Sequence, residues 1–72
     1  MNILKLVTAL NEYNKEVETF RNRMYEAKNA SDREFYHDNL KSSKDQRAGF
    51  IYALRVMGLE KEVENALKKL DA

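Results

Sequence analysis

The chain has no cysteine, no proline and no tryptophan, and only two glycines and one histidine in 72 residues. Without cysteine there is neither a disulfide framework nor a thiolate zinc site. A single histidine falls short of the ligand set that an all-protein metal cage needs. With no proline, few β-branched residues and no stretch alternating with period two, the pattern of a β-sheet protein is missing as well. An excess of one charge is also lacking: 13 basic residues face 12 acidic ones, for a net charge of +1. The balance holds locally, with five basic and four acidic groups in residues 1–30, five and four in 31–58, and three and four in 59–72. No segment is a basic arm or an acidic tail of the kind that binds nucleic acid or a charged surface by its composition alone.

Long hydrophobic runs are absent too. The opening "MNILKLVTAL" is apolar, but Lys5 interrupts it, Asn11 and Glu12 close it, and no small-residue cleavage site follows. Nothing approaches the run of about 18 apolar residues that a membrane span requires. The expected location is therefore cytoplasmic, without membrane contact.

A chain of this length makes one domain, residues 1–72, and buries only about 60 % of the surface that its unfolded form exposes. Small scaffolds compensate with disulfides, a metal or a partner subunit. The composition removes the disulfides and leaves a poor ligand set for a metal, so self-association is the expected support.

What the sequence does have is helical periodicity. Ile3, Leu6, Leu10, Tyr13, Val17, Phe20, Met24 and Ala27 recur at spacings of 3, 4, 3, 4, 3, 4 and 3. This is the apolar seam of a coiled coil, with a and d positions filled over four heptads. "NASDRE" then breaks the pattern, and Ser31 with Glu34 fits a capping box. A second seam follows through Tyr36, Leu40, Ser43, Arg47, Phe50, Leu54 and Met57, with Ser43 and Arg47 intruding on it. Gly58 suits the left-handed position that stops a helix. Leu59, Val63, Ala66, Leu67 and Leu70 then mark one face of a shorter helix.

A short connection between two long helices forces them antiparallel. The expected fold is all-α: a long, coiled-coil-like antiparallel hairpin (helix 1 at 2–29, helix 2 at 32–57) with a short third helix at 59–70, dimerising into a helical bundle. Folding the chain about Ala30 sets Tyr13 against Arg47, Val17 against Ser43 and Ile3 against Met57. Arg47 is expected to stack on Tyr13 and pair with Glu16, fixing register in the way that a polar residue in a seam does.

Two surfaces exceed what one hairpin can bury. "AGFIYALRVMG" (48–58) carries only Arg55 as a charge and is apolar on nearly every face of a helix. Within it, Gly49 and Ala53 form a strip of small residues beside Ile51 and Tyr52. At the hairpin tip Phe20, Met24, Tyr25, Phe35 and Tyr36 cluster beyond the reach of the third helix. Both surfaces are candidate interfaces, first with a second copy of the chain and then with a different protein.

Catalysis finds no footing. Nucleophilic chemistry needs a Ser or Cys beside a base, and His37 has Arg33 and Lys41 as its neighbours one turn away. No glycine-rich phosphate loop is present, and no cofactor is implied. Glu34-x-x-His37 has the spacing used by di-metal helical bundles, but neither residue lies on the seam. Lys41, Lys44 and Arg47 offer a partial basic stripe for nucleic acid, interleaved with Asp38 and Asp45, while the segment after Gly58 opens with Glu60, Glu62 and Glu64. The expectation is a non-enzymatic protein-binding module, a small regulator or inhibitor. Nucleic-acid binding and an inter-subunit di-metal site are the alternatives. Elemental analysis of the purified protein is expected to find no stoichiometric metal. Iron or manganese lost on His37→Ala would establish the di-metal alternative.

Overall fold

The computed structural model describes residues 2–71, with side chains through residue 70. Among them are three helices, α1 (Ile3–Glu26), α2 (Ala30–Val56) and α3 (Glu60–Asp71). α1 and α2 form the antiparallel hairpin and α3 folds back onto its open end, so the fold is all-α as the periodicity requires. No helix among the described residues is long and apolar enough to cross a membrane.

The helix boundaries at the hairpin turn differ from the expectation. Asn29 is the N-cap of α2, in extended backbone, and its Oδ1 accepts from the Asp32 N–H at 2.8 Å. Asn29 Nδ2 in turn donates to Asp32 Oδ2 at 3.0 Å. Ser31 and Glu34, the expected capping box, lie inside the helix, which starts two residues earlier than the expected 32. The two boxes compete for one helix start. Both caps put an acidic residue in the first turn, where the helix dipole favours it, and the Asn29 box adds two helical residues. With Asn29 extended as the cap, α1 cannot run to 29, and it ends at Glu26, where its C-cap Ala27 turns extended with ψ 130°. Ala27, Lys28 and Asn29 make the connection.

The other end of α2 closes in a Schellman motif. Gly58 takes a left-handed φ of 74°. Leu59 N–H donates to Leu54 O at 2.8 Å and Gly58 N–H to Arg55 O at 3.0 Å. The hydrophobic contact that accompanies this motif is present, since Leu59 packs against the cluster containing Leu54. That cluster, Val7, Leu10, Leu54 and Val63, is the densest part of the core and the place where all three helices meet. Val7 is fully buried although it lies off the α1 seam, because α3 covers the flank on which it stands. Below this point the seam continues through Val17, Leu40 and Ser43, all buried between only two helices. Met57, expected against Ile3, instead caps α2 at the end of the hairpin and stays 45 % exposed.

The result is long and thin. Its extents are 44 × 26 × 14 Å and its radius of gyration is 14.3 Å, against about 11 Å for a compact domain of this length.

Arg55 and Glu60 tie α2 to α3 across the turn. Arg55 Nε donates to Glu60 Oε2 at 2.6 Å and Nη2 to Oε1 at 3.2 Å, a bidentate pair. The hydrogen bond from Arg55 holds the Glu60 carboxyl below its ordinary value, and the same bond raises the guanidinium. A carboxyl depressed in the folded state contributes stability that is fully present above its unfolded pKa, about 4.3, and lost as pH falls through the folded one. The protection of α3 amides, relative to their intrinsic exchange rates, is therefore expected to fall at acid pH before that of α1. Glu60→Gln should lower α3 protection at neutral pH and flatten this acid response. An unchanged acid profile in that variant would remove Glu60 from the docking of α3.

Candidate protein-interaction surface

The middle of the hairpin is polar by design of its sequence, and the structure resolves the partners. Ser43, 2 % exposed, donates its hydroxyl to Glu16 Oε1 at 3.1 Å. Arg47, half-buried, donates from Nη1 to Asn14 Oδ1 at 3.1 Å. The expected stacking of Arg47 on Tyr13 and its pairing with Glu16 are not what forms. Tyr13 packs on Phe50 instead, with ring centroids 5.3 Å apart and planes tilted by 42°, and Glu16 is taken by Ser43. The exchange has a physical reason. A serine hydroxyl buried in an apolar seam needs an acceptor, and the exposed carboxylate of Glu16 reaches it. Arg47 then finds a neutral oxygen two residues nearer the open end, on Asn14. Asn14 carried no signal in the sequence, because it stands off the seam.

Both polar contacts join residues predicted to lie at the same level of the hairpin. They are expected to set the register between heptads, since a slip of seven residues puts Ala9 or Arg23 in the place of Glu16 and Val7 or Arg21 in the place of Asn14, and both hydrogen bonds are lost.

Around this layer the apolar surface is divided by α3. Ile51 is half-buried against the core, on the flank that α3 covers, where Leu10, Asn14, Arg47, Glu64 and Leu67 line a shallow groove. Gly49, Tyr52 and Ala53 lie away from that flank and are exposed. A Cβ added at Gly49 would meet nothing within 4 Å, so the small residues there accommodate no neighbour within the chain. Val56, at 68 % exposure, extends the same bare region.

At the tip the predicted cluster is split. Phe20, Met24 and Tyr36 are half-buried between the two helices, whereas Tyr25 and Phe35 are 77 % and 61 % exposed. Phe35 meets Tyr36 edge-on at 5.3 Å, which leaves the outer face of Phe35 open. Leu4 is a further exposed apolar residue, and Leu70, expected on the packed face of the third helix, is 64 % exposed because it lies in the last turn of α3, past the core cluster.

The remaining candidates are dispersed. Glu34 and His37 are exposed on a shallow depression with Met24, Ala30 and Arg33, and the His37 imidazole lies 3.7 Å from Asp38. Among the described residues no three histidine or carboxylate groups converge on a point that could hold a metal ion. Lys41 and Lys44 border a small hollow with His37 and Leu40, and Arg47 is drawn into the hairpin by Asn14. The three cations therefore do not stand free as one stripe. No family model, curated protein or solved structure matches the chain.

Arg47→Leu tests the role of the polar layer. Asn14 is only half-buried and keeps access to water, so stability is expected to be unchanged or higher by about 1 kcal/mol, as when buried charges give way to packed apolar groups. The loss is expected in uniqueness, visible as broadened or doubled NMR cross-peaks for hairpin residues. A variant that melts well below the wild type would show that Arg47 supplies stability rather than register.

Proposed function

We propose that this protein is a small helical protein–protein interaction module. It acts by binding rather than by catalysis and associates with itself. A regulator or inhibitor that presents a rigid helical face to a partner is the role that suits this form. The observation that carries the reading is the state of the aromatic side chains. Of the seven, none is buried: Tyr13, Phe20, Tyr36 and Phe50 are half-buried, and Tyr25, Phe35 and Tyr52 are exposed. Aromatic residues bring the largest apolar area per side chain and dominate interface energetics. A domain that leaves all of them partly in water has its principal hydrophobic contribution still to make.

The total surface supports the same reading. A compact monomer of 8.5 kDa exposes about 4,700 Å², whereas this chain exposes 5469 Å². The excess, on the order of 800 Å², equals the share that each partner gives to an interface of standard size. The cytoplasm is the location proposed with this role, and balanced charge gives no preference for a nucleic-acid partner.

Sedimentation equilibrium of the purified chain across the micromolar range tests self-association, with a concentration-dependent dimer expected. Thermal unfolding should move upward with concentration, because association stabilises the folded state by mass action. A cooperatively folded monomer at every concentration would refute it.

A further inference from the structure

α2 carries a second seam. Beside the residues that face α1, Phe35, Asn39, Ser42, Gln46, Gly49, Ala53 and Val56 recur at spacings of 4, 3, 4, 3, 4 and 3. Nine of the 27 residues of α2 are charged, and none of the nine falls on this line. A solvated helix face of that length would carry several charges, as the rest of α2 does. The line runs along the side of α2 away from Ile51, so α3 leaves it uncovered. Phe35 is 61 % exposed and Val56 68 %, and Gly49 opens onto empty space. Asn39 is half-buried, and its amide donates to Phe35 O at 2.9 Å, which turns its side chain back along its own helix.

We propose that this seam is the site of self-association, occupied by the same seam of a second copy running antiparallel. The proposal rests on the self-association reading above and specifies its surface and symmetry. Three observations select a second copy over another occupant. The order of side-chain sizes is self-complementary, with bulky residues at both ends and small or polar ones between. An antiparallel two-fold through Gln46 sets Phe35 against the partner's Val56, Ser42 against the partner's Gly49, and Gln46 beside its own copy. An isologous interface requires this reciprocity. The excess exposed surface of the whole chain has the size of one partner's share of a standard interface, enough for one such contact. Charge is kept to the margins: Asp38 comes within about two residues of the level of the partner's Tyr52, whose phenol can donate to it. Asp45 approaches its own copy only at the solvent edge, where water screens the two like charges.

The absence of cysteine makes the geometry directly testable. In the full chain, Gln46→Cys is expected to form a disulfide-linked dimer on mild oxidation, because a residue on the two-fold axis meets itself. Tyr25→Cys, on the other side of the hairpin, should stay largely unlinked. Gly49→Leu is expected to abolish the dimer in sedimentation while keeping full helical circular dichroism, since the added side chain enters empty space and leucine is the better helix former. Tyr25→Ser is expected to remain dimeric. A wild-type dimer that survives Gly49→Leu and does not cross-link through position 46 would overturn the seam and leave self-association standing through another face. A monomeric wild type would overturn both.

Discussion

The turn at Gly58 decides the rest of this structure. Its backbone can only be followed by a return, with Leu59 bonded to Leu54 at 2.8 Å, and the return seats α3 on one flank of the hairpin. A 12-residue helix starting there reaches the level of Asn14 and Arg47 and no further. The core is dense where three helices meet and thin where two do. Val7, which stands off the α1 seam, becomes one of the most buried residues of the chain, while Gly49, Ala53 and Val56 on α2 become a bare face. One flank is a domain interior and the other is a surface of similar composition without a neighbour.

The polar layer in the middle of the hairpin has a different role from the apolar ends. Leu, Val and Phe in a seam are interchangeable between neighbouring heptads, so a hairpin made only of them has several registers of nearly equal energy. Ser43 with Glu16 and Arg47 with Asn14 are placed to remove that degeneracy, since a slip of one heptad leaves neither donor its acceptor. These contacts lie where α3 gives out and the core thins to two helices. Specification of register there compensates for the lack of a third helix to hold the pair in place.

An 8.5 kDa chain of this shape has little interior in which to build a site for chemistry. Its depressions are open, its one histidine is at the surface beside Asp38, and its charged side chains are spread with alternating sign. What it offers is length: a helix of 27 residues spans about 40 Å. A rigid rod with one uncharged face suits recognition along a line, in which affinity comes from many modest contacts and specificity from where the large side chains fall.

Much of this was legible in the sequence, and the remainder divides along a physical line. The spacing of apolar residues fixed the three helices, the antiparallel hairpin and its approximate register, because a heptad seam has one way to be buried and a three-residue connection allows only an antiparallel return. Gly58 was legible for the same kind of reason, as a local backbone requirement. The start of α2 was not, since Asn29 with Asp32 and Ser31 with Glu34 are both sound caps and only the packed hairpin selects between them. Nor were the partners of Ser43 and Arg47: periodicity gives the level at which a side chain sits, while hydrogen bonding depends on which off-seam atom lies within reach, and that brought Asn14 in and left Tyr13 to Phe50. The flank taken by α3 was equally hidden. Both sides of α2 near its end are apolar, and the choice between Ile51 and the line through Gly49 is made by the direction in which the chain leaves Gly58, a tertiary fact that periodicity does not encode.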